Sequence, residues 1–497
     1  MQRDLNMGNQ IPDPIHSGVA LESEWLFKPS SVALIGASAD PMRIGGRPLD
    51  YTRRADYAGM VFPVNPRYEQ IQGYICYPSI LSIPSAVQLA IIALPARSVP
   101  QAVSECLEKG VKAIVIYSAG FAEVDASGKA AQETILRQCE EAGVLLLGPN
   151  CLGLMSIQAG LMLTFTTVLE SIWPKPGKTS VISQSGAVGS YCAALVMERG
   201  LGLSKWISTG NEAGIDVAQC IEWLANDPET GLIMSYIEGC KSTERLHQAL
   251  SLAAHNEKPV IILKSGITAL GKKGVSAHTG ADAGDDDVYD EIFRSTGALR
   301  VRSMEEQVDL VYAFANGVFP MGRNVCIISI SGGVGVLLAD AAYSAGLALP
   351  ATQKENRRRI KELIPFSSPE NPVDVTAQVL HDVSLLQNII EIQAADPAYD
   401  TLLIFLQQLG KVDQHFHEFY PAMLEAKTRY PQKLFVLCGS CSPRNRLEME
   451  TAGFLVFEEP QRAINCISGL VRFRERVLDN TSCCIASLRP DSHGEMN

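Results

Sequence analysis

Residues 182–189 read ISQSGAVG and residues 328–335 read ISISGGVG, identical at six of eight positions. The match continues at the same offset, with Gly200, Leu201 and Leu203 corresponding to Gly346, Leu347 and Leu349. Each copy is an apolar run, a turn of serine and glycine, an apolar stretch of helical length, and then Gly-Leu ahead of the next apolar run. A strand that feeds a helix through a tight turn and returns as a strand is the unit of a parallel sheet with right-handed crossovers. Any doubly wound domain opens in this way, but an unbroken offset over about 20 residues favours two related units.

The same rhythm runs through the rest of the chain. Buried strands are expected at 32–35, 59–64, 89–93, 113–117 and 144–147, with helical patterns at 98–109 and 129–142 between them. Residues 156–178, rich in Gly, Pro and Thr, read as a connector. The rhythm restarts at 180–183, 204–208, 232–237 and 260–264, pauses around 317–323, and resumes at 325–329, 402–406 and 434–437. Three consecutive α/β units are the expectation. At roughly 100–200 residues per domain, the 497-residue length agrees. About 20 residues at the start and 15 at the end are polar and aperiodic, and are expected to be loose.

Composition narrows the function classes. Forty-two basic against 54 acidic side chains leave a net charge of −12, which argues against nucleic acid as principal partner. No run reaches the 18 apolar residues that a membrane-spanning helix needs, and the first residues lack the apolar stretch of a signal peptide. Thirteen cysteines scattered over so long a chain do not form a disulfide framework, so a reducing, cytoplasmic setting is expected.

Three stretches are able to carry chemistry. GASADPMRIGG, residues 36–46, follows the strand 32–35 and offers bare amides at a helix start, a cradle for a nucleotide or CoA phosphate; it is also readable as a structural turn. It is not the G-x-G-x-x-G fingerprint, and Asp56 stands at no strand end that would hold an adenine ribose. The repeated turn sets Ser185 and Gly186, and again Ser331, Gly332 and Gly333, at two helix N-termini, where an anion is favoured; tight helix–sheet packing also demands small residues there. His278 lies in GKKGVSAHTGADAG, read as a glycine-rich loop ahead of a helix near Gly284, where an imidazole is able to attack a phosphoryl group. Cys438 and Cys441 have CxxC spacing but no second cysteine pair, His415 and His417 face different sides of a helix, and Asp285–Asp287 suit a helix start.

Together with PVNPR, GPNCLGL, the GNEAGID stretch and YIEG, these motifs resemble, in order, the α-type subunit of the ADP-forming acyl-CoA synthetases, relatives of succinyl-CoA synthetase. The resemblance runs from about residue 24 to about residue 474. It implies an α/β chain: a Rossmann-like CoA-binding domain (22–155), a flavodoxin-like ligase domain carrying the histidine loop (174–316), and a second flavodoxin-like, parallel-sheet ligase domain (320–475). It implies that Gly36, Ala37, Ser38, Ile44 and Gly45 surround the CoA phosphates, that Asn65, Pro66 and Pro95 line the same crevice, and that the turn from Asn150 and Cys151 to Gly153 closes the acyl end. The Ser185 and Ser331 helices would bind the transferred phosphate, His278 would carry it, and Glu238 would orient that imidazole.

The implied reaction interconverts acyl-CoA, ADP and phosphate with carboxylic acid, CoA and ATP, through acyl phosphate and phosphohistidine. No ATP-grasp pattern is present, so ATP or ADP and Mg²⁺ would bind a β-type ATP-grasp partner in a hetero-oligomer. Asp282, four residues after His278, departs from the family pattern, and its charge would repel a nearby phosphoryl group by roughly 1 kcal/mol or more. Two other readings compete: a CoA-binding sensor or scaffold, and a related acyl- or carbamoyltransferase without nucleotide chemistry. Retention of both His278 and Glu238 counts against the sensor, which needs neither.

Overall fold

The computed structural model describes residues 18–279, 282–380 and 382–479. Contacts divide the chain into two units, residues 1–256 with 264–288, and residues 257–263 with 289–497. A helix, Gly18–Phe27, already forms within the stretch expected to be loose.

The first unit opens with β1 (Ser31–Ile35) and β2 (Met60–Val64), a short hairpin of β3 (Gln70–Ile71) and β4 (Tyr74–Ile75), then β5 (Leu89–Ile92), β6 (Ala113–Ile116) and β7 (Leu145–Leu147). Its main sheet has the order β2-β1-β5-β6-β7, every pairing parallel. Strands covered on both faces need apolar side chains at every position, which is why the runs were continuous rather than alternating. Helix Val99–Lys109 packs Val99, Val103 and Cys106 onto Ala90, Ile92 and Ile114, and ends where Gly110 turns left-handed at φ 78°.

The stretch expected to be a connector is partly strand. β8 (Gly153–Ser156) and β9 (Leu161–Thr164) pair antiparallel with each other, and a one-turn helix, Val168–Ser171, follows. They extend a second sheet formed by β10 (Pro176–Ser183), β11 (Leu203–Ser208) and β12 (Leu232–Ile237), in the order β12-β10-β11-β8-β9 within this unit. β10 pairs parallel with both neighbours, and β8 pairs antiparallel with β11, so the second sheet is mixed at this edge.

In the second unit β13 (Val260–Lys264) pairs parallel with β14 (Leu299–Val301) through residues 261–263. A further sheet follows, built from β15 (Val325–Ser329), β16 (Val373–Asp374), β17 (Thr401–Gln407), β18 (Leu434–Gly439) and β19 (Leu455–Phe457). Its order, β16-β15-β17-β18-β19, is all parallel, the flavodoxin-like arrangement whose order reverses at the first strand. Its core joins Ile328, Ile404 and Leu437 from the strands to Leu386, Ile390, Phe416 and Phe419 from the helices.

The repeat is visible at atomic scale. Ser183 donates its hydroxyl to the Ser185 carbonyl at 2.6 Å, and Ser329 does the same to Ser331 at 2.8 Å. Each turn starts a helix of 13 residues, Gly186–Glu198 and Gly332–Ser344. Gly200 (φ 81°) and Gly346 (φ 74°) then reverse the chain in the left-handed region, which explains why Gly-Leu recurs at the same offset.

Within the first unit, the loop after β11 binds the end of β7. Amides of Asn211, Ala213 and Ile215 donate to the carbonyls of Pro149, Gly148 and Leu146, each at 2.9 Å. Asn211 adds side-chain bonds, accepting from Asn150 at 3.1 Å and donating to Gln132 at 3.0 Å. Inside this loop Glu212 is buried, and its Oε1 accepts from the Thr209 hydroxyl at 2.8 Å and the Val217 amide at 3.0 Å. Burial pushes its carboxyl up to about 7; Asp216 adds to the rise, while Thr209, Gln184 and Lys241 oppose it.

A folded-state pKa raised above the unfolded one means that the folded chain holds the proton longer. The contribution to stability is full below about pH 4.5 and is lost as pH rises to about 7, at no more than about 1.4 kcal/mol per pH unit. Glu212→Gln keeps the accepting oxygen and removes the titration. Urea unfolding should find the variant more stable than the parent at pH 8 and equal to it near pH 4.5. A constant difference across that range would show that Glu212 is ionised in the folded chain.

Candidate active site

The first sheet's order reverses at β1, and the turn after β1 lies at that point. Gly36 sits at φ 88°, and a Cβ on it would stand 2.4 Å from the Ala93 carbonyl oxygen after β5. A Cβ on Gly45 would stand 2.2 Å from the Gly36 oxygen. The amide of Ser38 donates to the Gly45 carbonyl at 3.0 Å, closing the turn on itself ahead of the helix Arg47–Arg54. Asn65, after β2, donates from Nδ2 to the Ala37 carbonyl at 2.8 Å, so it braces the turn. Ala37 is buried, whereas Ile44 is 50% exposed. Pro95 follows β5 and starts the short helix Ala96–Ser98. Gly36, Ala37, Ser38, Ile44, Gly45, Asn65, Pro66 and Pro95 thus gather at the carboxyl ends of β1, β2 and β5, the end at which open α/β sheets place ligands, and the two glycines let the turn pack tightly against backbone.

A cavity of roughly 250 Å³ lies in the same unit, and it joins two stretches that are far apart in sequence. Asn150, Cys151 and Leu152 come from the turn after β7; Gln184, Ser185, Gly186 and Ala187 come from the turn after β10. Asn150 adopts a left-handed φ of 58°, and its amide donates to the Ser118 carbonyl at 2.9 Å. Ser185 caps its helix by accepting from the Val188 amide at 3.4 Å. A Cβ on Gly186 would collide with the Leu152 side chain at 2.4 Å, so the helix start and the turn are in contact only because residue 186 is glycine. Cys151 lines the cavity, but its thiol turns away to the Ile116 carbonyl at 3.3 Å, and burial pushes it up to about 12. It is therefore no nucleophile.

Gln184 ties this turn to the end of β12. Its Nε2 donates to the Gly239 carbonyl at 2.8 Å, and its Oε1 accepts from the amides of Glu238 and Gly239. Glu238 is buried, and Oε1 of its side chain accepts from the Tyr236 hydroxyl at 3.3 Å. The stretch carrying His278 is helical over Ala269–Thr279, not the loop expected. Thr268 nucleates it: its Oγ1 accepts from the Gly271 amide at 3.0 Å and its carbonyl from Lys272 at 2.8 Å. The His278 side chain lies outside the described residues. The next described helix, Asp286–Thr296, starts with the acidic run, as expected. Asp282 is exposed, and its carboxylate accepts from the Gly284 amide at 2.9 Å.

In the second unit, Ser331, Gly332 and Gly333 form the start of the helix Gly332–Ser344. The two tips differ: Ser331 makes no side-chain cap, and a Cβ on Gly332 would stand 2.7 Å from an oxygen of Asp374. Cys438 and Cys441 are buried, and burial pushes their thiols up to about 12 and about 11, which suits neither metal nor redox work at neutral pH. Sequence reasoning passed over Tyr117, Phe165 and Gln184. Tyr117 and Gln184 follow strand ends directly, where open α/β sheets place ligands, and that position was the available signal.

Comparison with known proteins shows the family of the chain. The pattern of a CoA binding domain matches residues 30–156, that of a succinyl-CoA ligase like flavodoxin domain residues 176–314, and that of a ligase-CoA domain residues 325–417. The chain is 34% identical over 458 residues to the α subunit of ADP-forming acetate–CoA ligase I of Pyrococcus furiosus, covering 90% of this chain and 97% of that one. It is 33% identical over 466 residues to ADP-forming acetate–CoA ligase I of Archaeoglobus fulgidus, covering 92% of this chain and 65% of that one. The solved structure of the dinucleotide forming acetyl-coenzyme A synthetase 1 of Ca. Korarchaeum cryptofilum, in complex with phosphate and ADP, superposes with a TM-score of 0.81 at 27% identity, covering 94% of this chain and 99% of that one. The chain belongs to the family of ADP-forming acetate–CoA ligases and aligns with their α subunits over nearly its whole length.

Proposed function

We propose that this chain is the catalytic α-type subunit of an NDP-forming acyl-CoA synthetase. It interconverts acyl-CoA, ADP and phosphate with a carboxylic acid, CoA and ATP. The observation that carries the reading is the cavity in which the turn at Asn150–Leu152 meets the helix tip at Ser185–Gly186. The first supplies the place for a thioester, the second the place for an anion.

In the ATP-making direction, phosphate held at the Ser185 helix tip attacks the thioester carbonyl and CoA leaves as thiol. The acyl phosphate then gives its phosphoryl group to a ring nitrogen of His278, and the carboxylate departs. ADP finally takes the phosphoryl group from the histidine. Amides at the helix ends face the charge that moves through these steps. Glu238, buried beside Gln184, is a carboxylate of the kind that fixes an imidazole tautomer and leaves the other ring nitrogen to attack. The exposure of Asp282 and its bond to Gly284 temper the repulsion that its sequence position suggested.

CoA would take the turn after β1, within the residues that match a CoA binding domain, where Gly36 and Gly45 let the turn pack closely against the chain after β5 and on itself. The nucleotide and Mg²⁺, which neutralises phosphate charge, belong to a separate β-type ATP-grasp chain in a hetero-oligomer. Support comes from the name of a relative, an α subunit of which the chain covers 97%. Among the described residues no helix is long and apolar enough to cross a membrane, and the cysteines described are free, in keeping with a cytoplasmic enzyme.

Incubation with ATP and the partner chain should label this protein with an acid-labile, base-stable phosphoryl group. His278→Ala should abolish the label, and Glu238→Gln should cut it at least tenfold while leaving CoA affinity unchanged by calorimetry. Equal labelling of parent and His278→Ala would sink the phosphohistidine step. Gly45→Ala, which forces a methyl group against the Gly36 carbonyl, should weaken CoA at least tenfold and spare the ATP-dependent label. Unaltered CoA affinity would place the cofactor elsewhere.

A further inference from the structure

Gln184 stands where β10 ends and the serine turn begins, and it is buried. Its main chain makes one last contact with β12, the amide donating to the Tyr236 carbonyl at 3.3 Å, and then turns away so that Ser185 caps the next helix. Its side chain goes on where the main chain stops. Nε2 donates to the Gly239 carbonyl at 2.8 Å, and Oε1 accepts from the Gly239 amide at 3.2 Å and from the Glu238 amide. A carboxamide presents an acceptor and a donor in one plane, as a peptide group does, so it continues the pairing of the two strands after the backbone has left it. The partners also fix its direction: two N–H groups require the oxygen, and a carbonyl requires the nitrogen.

Two features stand on residues 238 and 239. The buried Glu238 side chain accepts from the Tyr236 hydroxyl, which bonds Ser265 at 3.0 Å, while the Glu238 carbonyl accepts from Lys264 at 2.8 Å. Gly239 carries the second: a Cβ there would stand 2.2 Å from the Asp282 carbonyl oxygen, so the chain four residues after His278 rests on it. On its other side the Gln184 amide faces the carboxyl of Glu212, which it helps to hold down. We propose that Gln184 is a positioning residue for phosphoryl transfer: the acceptor and the donor of one neutral amide set Glu238 and the seat of the histidine segment against the Ser185 helix tip. This rests on the ligase reading and adds a requirement on charge, since a group of the same size that lacks either end cannot serve.

Gln184→Glu separates the two ends with almost no change of shape. Ionised, it offers only acceptors, so one oxygen meets the Gly239 carbonyl and leaves it unpaired. Protonated, its O–H donates to that carbonyl and its other oxygen accepts the two amides. The groups that face it are Glu212 from the loop after β11, with Asp216 and Lys241 beside that carboxyl, Tyr236 and Glu238 from β12, and Lys264. Burial and the neighbouring carboxyls favour the protonated form, so function should return as pH falls.

The measurement is the rate at which the full chain takes a phosphoryl group from radiolabelled acetyl phosphate, the P–O bond to acetate breaking as a P–N bond to His278 forms. At pH 8, Gln184→Glu should be at least tenfold slower than the parent at saturation, with half-saturation by acetyl phosphate unchanged within about twofold. The ratio of parent to variant should shrink at least threefold by pH 6. Gln184→Met, of similar length, should be slow at every pH. Calorimetry should find the parent's CoA affinity in both variants, which shows them folded. Labelling of either variant at the parent's rate at pH 8, or a ratio for Gln184→Glu that does not change with pH, would overturn the proposal. Loss of CoA affinity together with the label would make Gln184 a structural residue and overturn it as well. A parent that takes no label, or a label that survives in His278→Ala, would instead sink the ligase reading, and the proposal with it.

Discussion

Three main-chain hydrogen bonds, from residues 211, 213 and 215 to the carbonyls of residues 149, 148 and 146, set where the turn at Asn150 stands. They make the loop after β11 an extension of β7, which belongs to another sheet. Backbone pairs of this kind fix direction and register at once, where side-chain packing alone leaves room to slide. As a result the turn at Asn150 faces the helix tip at Ser185, and a cavity forms where two α/β sheets adjoin. Glu212 sits within the pairing loop as a buried acid, so the same contact carries a pH-dependent component.

Absent side chains matter as much as present ones. Gly36, Gly45 and Gly186 each lie where a single methyl group would strike backbone or a packed leucine. The first two let the turn after β1 close against the chain after β5 and on itself; the third lets a helix start touch a turn from the neighbouring sheet. Gln184 is the polar counterpart of these glycines. One amide group satisfies three backbone groups at residues 238 and 239, which ties the turn after β10 to the strand end that carries Glu238. The two copies of the serine turn share geometry but not surroundings, because Asp374 lies against Gly332 and has no counterpart in the contacts of Gly186.

Strand positions were legible wherever the chain is covered on both faces, since burial there demands a continuous apolar run: 32–35, 89–93, 113–117 and 325–329 all coincide with strands to within a residue. The two-residue β16 was not, because so short a run carries no period, and β8 and β9 were not, because the glycine and threonine in and around them read as turn. The helix Ala269–Thr279 failed for the opposite reason. Its two glycines lower helix propensity, and only the Thr268 cap and the burial of Val275 make it hold. Tyr117 escaped notice because an aromatic residue that ends an apolar run looks like core. That its oxygen lacks a partner among the described residues is a property of the space around it.

By itself the sequence determined the α/β class, the three successive sheets, the repeated serine turn and the family, since local periodicity and motif order are written residue by residue. Tertiary structure alone decided which turns share a cavity, which of its walls are neutral, that the Cys151 thiol faces inward, and that Glu212 is pressed towards its protonated form. Each of these depends on distances between residues far apart in the chain, and a buried group's energy is set by the neighbours that folding brings to it.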